Sequence, residues 1–332
     1  MRAARVNAYG PPSAVVLEDV PGRPPGPGEA VVDIGAAAVN FPDLLIVANA
    51  YQVSAALPFT PGSEFAGTVT AVGEGVAGLR PGDQVIGADL VGAFAEQITV
   101  PAAALTPLTP GLTIQDGAAF RVTYRTAYAA LAGIARAQPG EWVVVLGAAG
   151  GVGSAAIDVA HHLGCHVLAA ASSDAKVEAC RAWGADALVN TSTEDLKVRA
   201  KELTGGGADV VVDPVGGPLA EQALRAMRYG GRFLTIGFAS GEIPRIPLNL
   251  VLLKGVIIRG IEIRTFAHNE PALAAEMDAG LEEMVAQGFR PRIDAVFPLE
   301  QIDRALDLVA SRAVTGKVVI DMVAGRSGAG NS

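Results

Sequence analysis

The sequence predicts an α/β protein that combines a β-rich domain with a doubly wound parallel sheet. Residues 1 to about 120 contain many short β-type runs interrupted by glycine and proline, a pattern typical of a twisted, barrel-like antiparallel domain. From about residue 125, helices alternate with buried strands, which predicts a parallel sheet with helices on both faces. A chain of 332 residues is long enough for two such domains.

The stretch 141–174 carries the strongest functional signal. The apolar run 143–146 predicts a buried strand, 155–163 a helix and 166–171 a second strand. Between the first strand and the helix lie four glycines, Gly147, Gly150, Gly151 and Gly153. Glycines there let the backbone approach a pyrophosphate, which the N–H groups of a helix N-terminus can bind. In a βαβ unit this loop predicts a dinucleotide site, and a glycine-rich connection without a ligand is the alternative.

The end of the second strand indicates which dinucleotide is bound. A site for NAD usually has Asp or Glu there to hold the ribose 2′-OH, whereas this chain has Ser172 and Ser173. Their hydroxyls can donate to a 2′-phosphate, and Lys176 adds a positive charge one turn further on. This combination favours NADPH, with Asp174 opposing it unless its carboxylate turns away. An ordinary solvated helix lysine is the alternative for Lys176.

The composition of the chain indicates which classes of partner and which cellular compartment to expect. With 25 basic and 34 acidic side chains the net charge is −9, which argues against nucleic acid or an anionic membrane as the main partner. No apolar run reaches the roughly 18 residues that span a bilayer, and we see no export signal. Two cysteines cannot form a disulfide framework, so we expect a cytoplasmic protein.

Four elements are predicted after residue 270. They are a helix at 271–287, a strand at 293–297, a helix at 299–312 and a final strand at 317–322. We expect the final strand to return to the first domain, which makes that domain discontinuous. The small, polar tail 325–332 is expected to be disordered.

Short motifs follow one another in a fixed order along nearly the whole chain. They are NFPD at 40–43, LPFTPGSEFAG at 57–67, RPGDQV at 80–85, GAFAE at 92–96 and AAGGVG at 148–153. With them the chain resembles the medium-chain dehydrogenase/reductase superfamily, in its zinc-free, zeta-crystallin-like quinone oxidoreductase branch. The resemblance implies a GroES-like catalytic domain over 1–122 and 266–332, a Rossmann domain over 123–265, and a cofactor in the cleft.

A catalytic zinc is not expected. Such a site needs three Cys, His or carboxylate ligands and an open position. Where zinc-dependent relatives have Gly-His-Glu, this chain has Gly62-Ser63-Glu64, and the position usually taken by a cysteine is near Asn40. The four-cysteine lobe that holds structural zinc is also missing. Alcohol oxidation through a Lewis acid is therefore not expected.

The resemblance places Asn40, Asp43 and Tyr51 beside the nicotinamide. A hydride that reaches a quinone or enone builds negative charge on the acceptor oxygen, which the amide of Asn40 and the phenol of Tyr51 can stabilise. Tyr51 or water can then supply the proton, and Asp43 can orient its neighbours. The alternatives are a turn cap for Asn40, a helix N-terminal role for Asp43 and loop packing for Tyr51. The family commonly has Arg-x-Gly-x-Tyr here, but the residues before Tyr51 include neither that Arg nor that Gly.

Further residues are assigned to the cofactor by the glycine loop, the strand ends and the resemblance. They are Thr126, Gly147, Ala149, Gly150, Gly151, Val152, Gly153, Ser172, Ser173, Lys176, Thr191, Val215, Gly216, Gly237, Phe238, Ala239 and Ile263. The segments 214–216 and 237–239 follow strand ends, at the edge where an open parallel sheet binds its ligand. Thr191 departs from the family, which has tyrosine there.

Three functions remain open. The first is an NADPH-dependent reductase that transfers hydride to a small-molecule acceptor, a quinone or a similar conjugated carbonyl. The second is a reductase of 2-enoyl thioesters, and the third is a non-catalytic, crystallin-like NADPH-binding protein. The resemblance also implies a homodimer that pairs through the apolar strand predicted at 255–263.

Overall fold

The computed structural model describes residues 1–324, and its contacts divide the chain into two compact units. Within the described residues, unit 1 contains 1–122 and 290–324, and unit 2 contains Thr123–Phe289. The tail 325–332, predicted to be disordered, lies outside the described residues.

The described part of the chain forms strands and α-helices in the following order. The strands are β1 (Arg2–Val6), β2 (Val15–Asp19), β3 (Glu29–Val39), β4 (Glu64–Val72), β5 (Gln84–Ala88), β6 (Gln97–Pro101), β7 (Leu105–Pro107), β8 (Trp142–Leu146), β9 (His166–Ala171), β10 (Ala187–Asn190), β11 (Ala208–Asp213), β12 (Met227–Thr235), β13 (Ile257–Gly260), β14 (Ile293–Pro298) and β15 (Lys317–Asp321). The helices are α1 (Phe41–Val47), α2 (Ile114–Tyr128), α3 (Gly151–His162), α4 (Asp174–Ala182), α5 (Leu196–Leu203), α6 (Pro218–Ala226), α7 (Leu248–Lys254), α8 (Ile263–Asn269), α9 (Pro271–Ala286) and α10 (Ile302–Ala310).

Unit 1 is built on a mainly antiparallel sheet. Its strands run in the order β14-β15-β3-β4-β5-β7, with β6 also paired to β3, and β1 and β2 form a separate hairpin. The long strand β3 therefore joins most of the unit, and its interior side chains are small and apolar. The final strand β15 pairs antiparallel with β3, so unit 1 is discontinuous in sequence.

Unit 2 is a parallel sheet of six strands in the order β10-β9-β8-β11-β12-β13. The order reverses between β8 and β11, which makes the carboxyl ends of these two strands the switch point of a doubly wound fold. Val144, Leu146, Leu168 and Val211 are fully buried among the strands and helices. The predicted fold class, a β-rich domain with a doubly wound parallel sheet, is confirmed.

The second boundary between the units in the sequence lies at 289/290, whereas the predicted boundary is 265/266. The chain from 266 to 289 packs in unit 2, because Phe266 and Met277 join an apolar cluster with Ala129 and Ile261. Met277 also fills the space over Gly133, where a Cβ would lie 1.7 Å from the Met277 methyl carbon.

The strand predicted at 255–263 is also shorter in the structure. It ends at Gly260, and Ile263 begins a helix instead of closing the strand. The reason is local, since the carboxylate of Glu262 accepts hydrogen bonds from the backbone N–H groups of Arg264 and Thr265 and so caps α8.

Within residues 1–324 no helix is long and apolar enough to cross a membrane.

Candidate functional site

The glycine loop of unit 2 packs so closely that it has no room for side chains at two positions. A Cβ on Gly153 would lie 2.3 Å from the Gly147 carbonyl oxygen and 2.6 Å from the Ala148 Cα. Gly147 has a φ of +57°, and a Cβ there would lie 2.7 Å from Val215 Cγ2. The first turn of α3 therefore lies directly against the end of β8, as a loop that binds a pyrophosphate at a helix N-terminus requires.

The end of β9 holds the residues predicted to select the cofactor. Asn190, at the end of the neighbouring strand β10, donates from Nδ2 to Asp174 Oδ1 at 2.7 Å. The carboxylate that opposes a 2′-phosphate is thus engaged by an amide. Ser173 Oγ accepts from the backbone N–H of Lys176 at 3.4 Å and caps α4. Thr191 donates its backbone N–H to the Ala171 carbonyl at 2.8 Å, which brings it beside this strand end.

Two further predicted segments are held together at the end of β11. The Asp213 carboxylate accepts the backbone N–H groups of Val215 and Gly216, both at 2.8 Å. The Ala239 N–H donates to the Pro214 carbonyl at 3.1 Å, which joins the segment 237–239 to the segment 214–216. Burial raises the pKa of Asp213, and its two backbone hydrogen bonds oppose that rise.

Thr126 and Ile263 lie in another part of unit 2. Thr126 is buried in α2, one turn before Ala129. Ile263 packs in the apolar cluster that contains Ala129 and Ile236. Ile236 precedes Gly237, so this cluster adjoins the 237–239 segment in sequence.

In unit 1 the residues predicted to be catalytic meet a buried lysine. Lys317, at the start of β15, donates from Nζ to Asn40 Oδ1 at 2.5 Å and lies 3.2 Å from Glu64 Oε2. Asn40 donates from Nδ2 to the same Glu64 oxygen at 3.2 Å. Asp43 accepts the backbone N–H of Asn40 at 2.7 Å. We call Asn40, Asp43, Glu64 and Lys317 the Lys317 cluster.

The Lys317 cluster is shielded from water. Asp43 and Glu64 are 0% exposed and Lys317 is 3% exposed. The second oxygen of Glu64 accepts the backbone N–H of Val122 at 2.6 Å, so both carboxylate oxygens are hydrogen-bonded. Burial, helped by the charge of Glu64, raises the pKa of Asp43 to about 6. Hydrogen bonds from the Asn40 backbone and from Ser63, with the charge of Lys317, oppose the rise.

Asn40 and Asp43 have the contacts of positioning groups in this arrangement. Asp43 accepts the N–H of Asn40 at the start of α1, which is the helix N-terminal role weighed above. One amide hydrogen of Asn40 is used by Glu64, and the other points to the Ala38 carbonyl at 3.5 Å, at the outer limit of a hydrogen bond. Asn40 therefore keeps one weakly held donor.

Tyr51 lies in a bend after α1, where its ring is partly buried against the core of unit 1. The structure thus joins Asn40 and Asp43 by a hydrogen bond and places Tyr51 in the bend that follows α1.

Comparison with known proteins gives two family matches. The zinc-binding dehydrogenase model matches residues 151–279, and the alcohol dehydrogenase GroES-like domain model matches residues 26–110. Quinone oxidoreductase-like protein 2 of Rattus norvegicus is 38% identical over 311 residues, which cover 93% of this chain and 89% of the rat protein. This chain belongs to the medium-chain dehydrogenase/reductase superfamily.

Within this superfamily the chain is similar to the quinone oxidoreductase branch. The solved structure of the quinone oxidoreductase from Thermus thermophilus, described alone and in complex with NADPH, is 33% identical, with a TM-score of 0.84. That match covers 97% of this chain and 100% of the Thermus chain. The chain is also 30% identical over 311 residues to a mycocerosic acid synthase-like polyketide synthase of Mycobacterium tuberculosis, covering 92% of this chain and 15% of the synthase.

The superfamily includes enzymes that use zinc, but the side chains of the Lys317 cluster are poorly suited to that metal. Zinc takes thiolate, imidazole or carboxylate ligands. The Lys317 cluster offers an amide and two carboxylates: Asp43 accepts the Asn40 backbone N–H at 2.7 Å, and Glu64 faces an ammonium group 3.2 Å away. Among residues 1–324, no group of three or more His, Cys, Asp or Glu side chains could hold a metal ion.

No site role is predicted from the sequence for Lys317, Asn190 or Asp213, and Glu64 is noted only as part of a motif. For Lys317 the sequence carries no local signal, because lysines are almost never fully buried unless paired, and one that precedes the apolar run 318–320 is expected to stay solvated. Asn190 and Asp213 each end a buried strand in the sequence, at the ligand-binding edge of a parallel sheet.

Proposed function

We propose that this protein is an NADPH-dependent reductase that transfers hydride to a quinone or a similar conjugated carbonyl without a metal. When bound, NADPH supplies the hydride. The observation that carries the proposal is the Lys317 cluster, where a buried ammonium group fixes the Asn40 amide beside residues that are unsuited to zinc. Hydrogen-bond donors are sufficient for this reaction, because the acceptor is already activated.

Preference for NADPH is supported by the end of β9. The hydroxyls of Ser172 and Ser173 and the ammonium of Lys176 suit a 2′-phosphate, while the Asn190 amide engages the nearby Asp174 carboxylate. The similarity to the Thermus enzyme that was solved with NADPH points the same way.

Asn40 and Tyr51 are the donors that we propose for the acceptor oxygen. Lys317 polarises the Asn40 amide by donating to its oxygen, which makes the Nδ2 hydrogens better donors. The phenol of Tyr51 can also donate, and it or water completes the reaction by protonating the reduced acceptor. Asp43 acts through Asn40, whose backbone it holds.

A second candidate, reduction of a 2-enoyl thioester, is favoured by the match to the polyketide synthase. In that reaction hydride reaches the β-carbon of the thioester instead of a quinone ring. Both candidates build negative charge on a carbonyl oxygen, so the same donors serve either one.

We also propose a homodimer formed through one edge of the unit 2 sheet. Among the described strands β13 pairs only with β12, so its other edge is unpaired. Large apolar side chains are exposed on and near this edge: Tyr229, Leu248, Leu252, Leu253, Ile257 and Ile258. An unpaired strand edge with exposed apolar side chains is a template for pairing with another chain.

The test offers the purified protein NADPH or NADH with a benzoquinone, an α,β-unsaturated ketone or a crotonyl thioester. We expect NADPH to be oxidised faster with the quinone or the ketone than with the thioester. We also expect Tyr51→Phe to lose turnover of the quinone and the ketone. Tyr9→Phe is the matched control, because Tyr9 is another half-buried tyrosine of unit 1, whose hydroxyl donates to the Ala55 carbonyl at 2.6 Å.

Turnover with the thioester alone would establish the second candidate instead. Binding of NADPH without turnover on any acceptor would favour the non-catalytic alternative. A faster reaction with NADH would contradict the role proposed for Ser172, Ser173 and Lys176.

A further inference from the structure

The carboxyl group of Asp213 is a buried ionisable group that the proposed chemistry does not use. Asp213 ends β11 next to the switch point of the unit 2 sheet, and it is 0% exposed. Its Oδ1 accepts two backbone N–H groups, and among the described residues its Oδ2 has no hydrogen-bond partner. A buried carboxylate costs free energy, so its presence at this position calls for a compensating role.

The side chain of Asp213 fixes the turn that follows it. Its hydrogen bonds to Val215 and Gly216 hold Gly216 at a φ of +68°, which only glycine adopts without strain. In this conformation Val215 Cγ2 packs over Gly147 of the glycine loop, 2.7 Å from where a Cβ would stand. The turn after β11 is therefore in contact with the loop after β8.

The backbone of Asp213 fixes a second loop. Its carbonyl oxygen accepts the N–H groups of Ile236 at 2.8 Å and Gly237 at 3.3 Å. The ring of Phe238 then packs over Gly216, where a Cβ would lie 2.9 Å from Phe238 Cδ1. Asp213 thus holds the loops that follow β11 and β12, and through Val215 the first of these contacts the loop that follows β8.

We infer that Asp213 is a positioning residue for the dinucleotide, holding these three loops in the shape that the cofactor binds. The inference rests on the proposed function, because it assigns NADPH to this edge of the sheet. Loops that already have the bound conformation bind the cofactor more tightly, because less conformational entropy is lost on binding. The raised pKa of Asp213 agrees with a group kept in the interior for its contacts.

Three variants test the inference: Asp213→Ala, Asp213→Asn and Asp209→Ala. Asn keeps an acceptor oxygen for the two N–H groups, whereas Ala removes it. Asp209 is the matched control at the other end of β11, where its carboxylate accepts the Trp142 N–H at 2.8 Å and pairs with Arg228 at 3.0 Å. Both alanine variants remove a buried hydrogen-bond acceptor, but only Asp213→Ala removes one beside the loops that follow β11 and β12.

The first measurement needs no cofactor. Hydrogen–deuterium exchange of segments 214–217 and 236–240 should become about tenfold faster in Asp213→Ala, and should stay near the wild-type rate in Asp213→Asn and Asp209→Ala. The second measurement is a fluorescence titration with NADPH, in which Kd should rise about tenfold for Asp213→Ala alone. The KM for the acceptor should be unchanged in that variant.

Equal effects of Asp213→Ala and Asp209→Ala on exchange would overturn the inference, because both would then be general losses of stability. An unchanged NADPH Kd in Asp213→Ala would also overturn it. If the wild type itself does not bind NADPH, the proposed function fails, and the exchange data still show whether Asp213 holds the loops.

Discussion

The ammonium group of Lys317 donates a 2.5 Å hydrogen bond to the side-chain oxygen of Asn40, although the two residues are 277 positions apart in the sequence. The bond forms in the interior of unit 1, where β15 lies beside β3 and the turn into α1 begins. It fixes the rotamer of Asn40 and places a full positive charge beside its amide. Lys317 and Glu64 together keep that charge paired inside the protein.

Replacing Lys317 by Met should destabilise unit 1 strongly. The change leaves the buried carboxylate of Glu64 without its cation, which typically costs about 3–5 kcal/mol in the free energy of unfolding. The double variant Lys317→Met/Glu64→Gln should recover most of that loss, because residue 64 then carries no charge that needs a cation. Urea unfolding of the single and double variants measures both effects.

Lys197→Met, at an exposed position of α5, is the control and should change the free energy of unfolding by less than about 0.5 kcal/mol. If the double variant is as unstable as Lys317→Met, the loss has a source other than the unpaired carboxylate.

Asp43 should make stability depend on pH. Its folded pKa of about 6 lies above the ordinary 3.8, so between these values the folded state holds the proton more tightly than the unfolded chain. Stability therefore falls as pH rises through this window, by about 3 kcal/mol for a shift of this size. Asp43→Asn cannot ionise and keeps an oxygen to accept the Asn40 N–H.

Unfolding of Asp43→Asn and the wild type, measured from about pH 4 to pH 7, tests this expectation. The free energy of unfolding of the variant, relative to that of the wild type, should increase as pH rises. A difference that stays constant across the range would show that Asp43 has no raised pKa.

Gly153→Ala should weaken NADPH binding by more than about tenfold. The new Cβ meets the backbone at Gly147 and Ala148, which cannot rotate away as a side chain can, so the glycine loop must shift. Gly150→Ala is the matched comparison, because its Cβ meets only the Gly147 carbonyl, at 3.3 Å. Fluorescence titration should show the larger loss for Gly153→Ala, and equal losses would argue against close packing at Gly153.

Lys176→Ala should raise the Kd for NADPH by about tenfold and leave the Kd for NADH nearly unchanged. Only NADPH carries the 2′-phosphate that the lysine charge attracts, and a charge-assisted hydrogen bond contributes roughly 1.5–3 kcal/mol. Lys197→Ala removes an exposed lysine from α5, away from the end of β9, and should affect neither cofactor. Equal losses for the two cofactors in Lys176→Ala would place the lysine outside the phosphate site.

Leu252→Glu/Ile257→Glu should convert the proposed homodimer to monomers. Both side chains are mostly exposed, at 80% and 61%, so the charges are tolerated in a folded monomer but not in a buried interface. Analytical ultracentrifugation measures the mass. Val198→Glu, on α5 beside β10 at the far edge of the sheet, should leave the dimer intact. A wild-type protein that sediments as a monomer would contradict the prediction.

The sequence by itself determined the elements whose signals are local. The run 143–171 predicts strand, glycine turn, helix and strand because its apolar spacing and its glycines lie within one short segment, and β8, α3 and β9 follow it closely. Local signals can also compete, as at Ile263. There an apolar run predicts a strand, but the capping carboxylate of Glu262 starts a helix.

Only the tertiary structure decided which distant residues share a site. Lys317 meets Asn40 because β15 returns to β3, and no spacing within either segment records that pairing. The same holds for Asp213, whose carboxylate and carbonyl connect the loops that follow β11 and β12. Hydrophobic periodicity specifies which face of an element is buried, whereas the partner of a buried charge depends on which elements become neighbours when the sheets form.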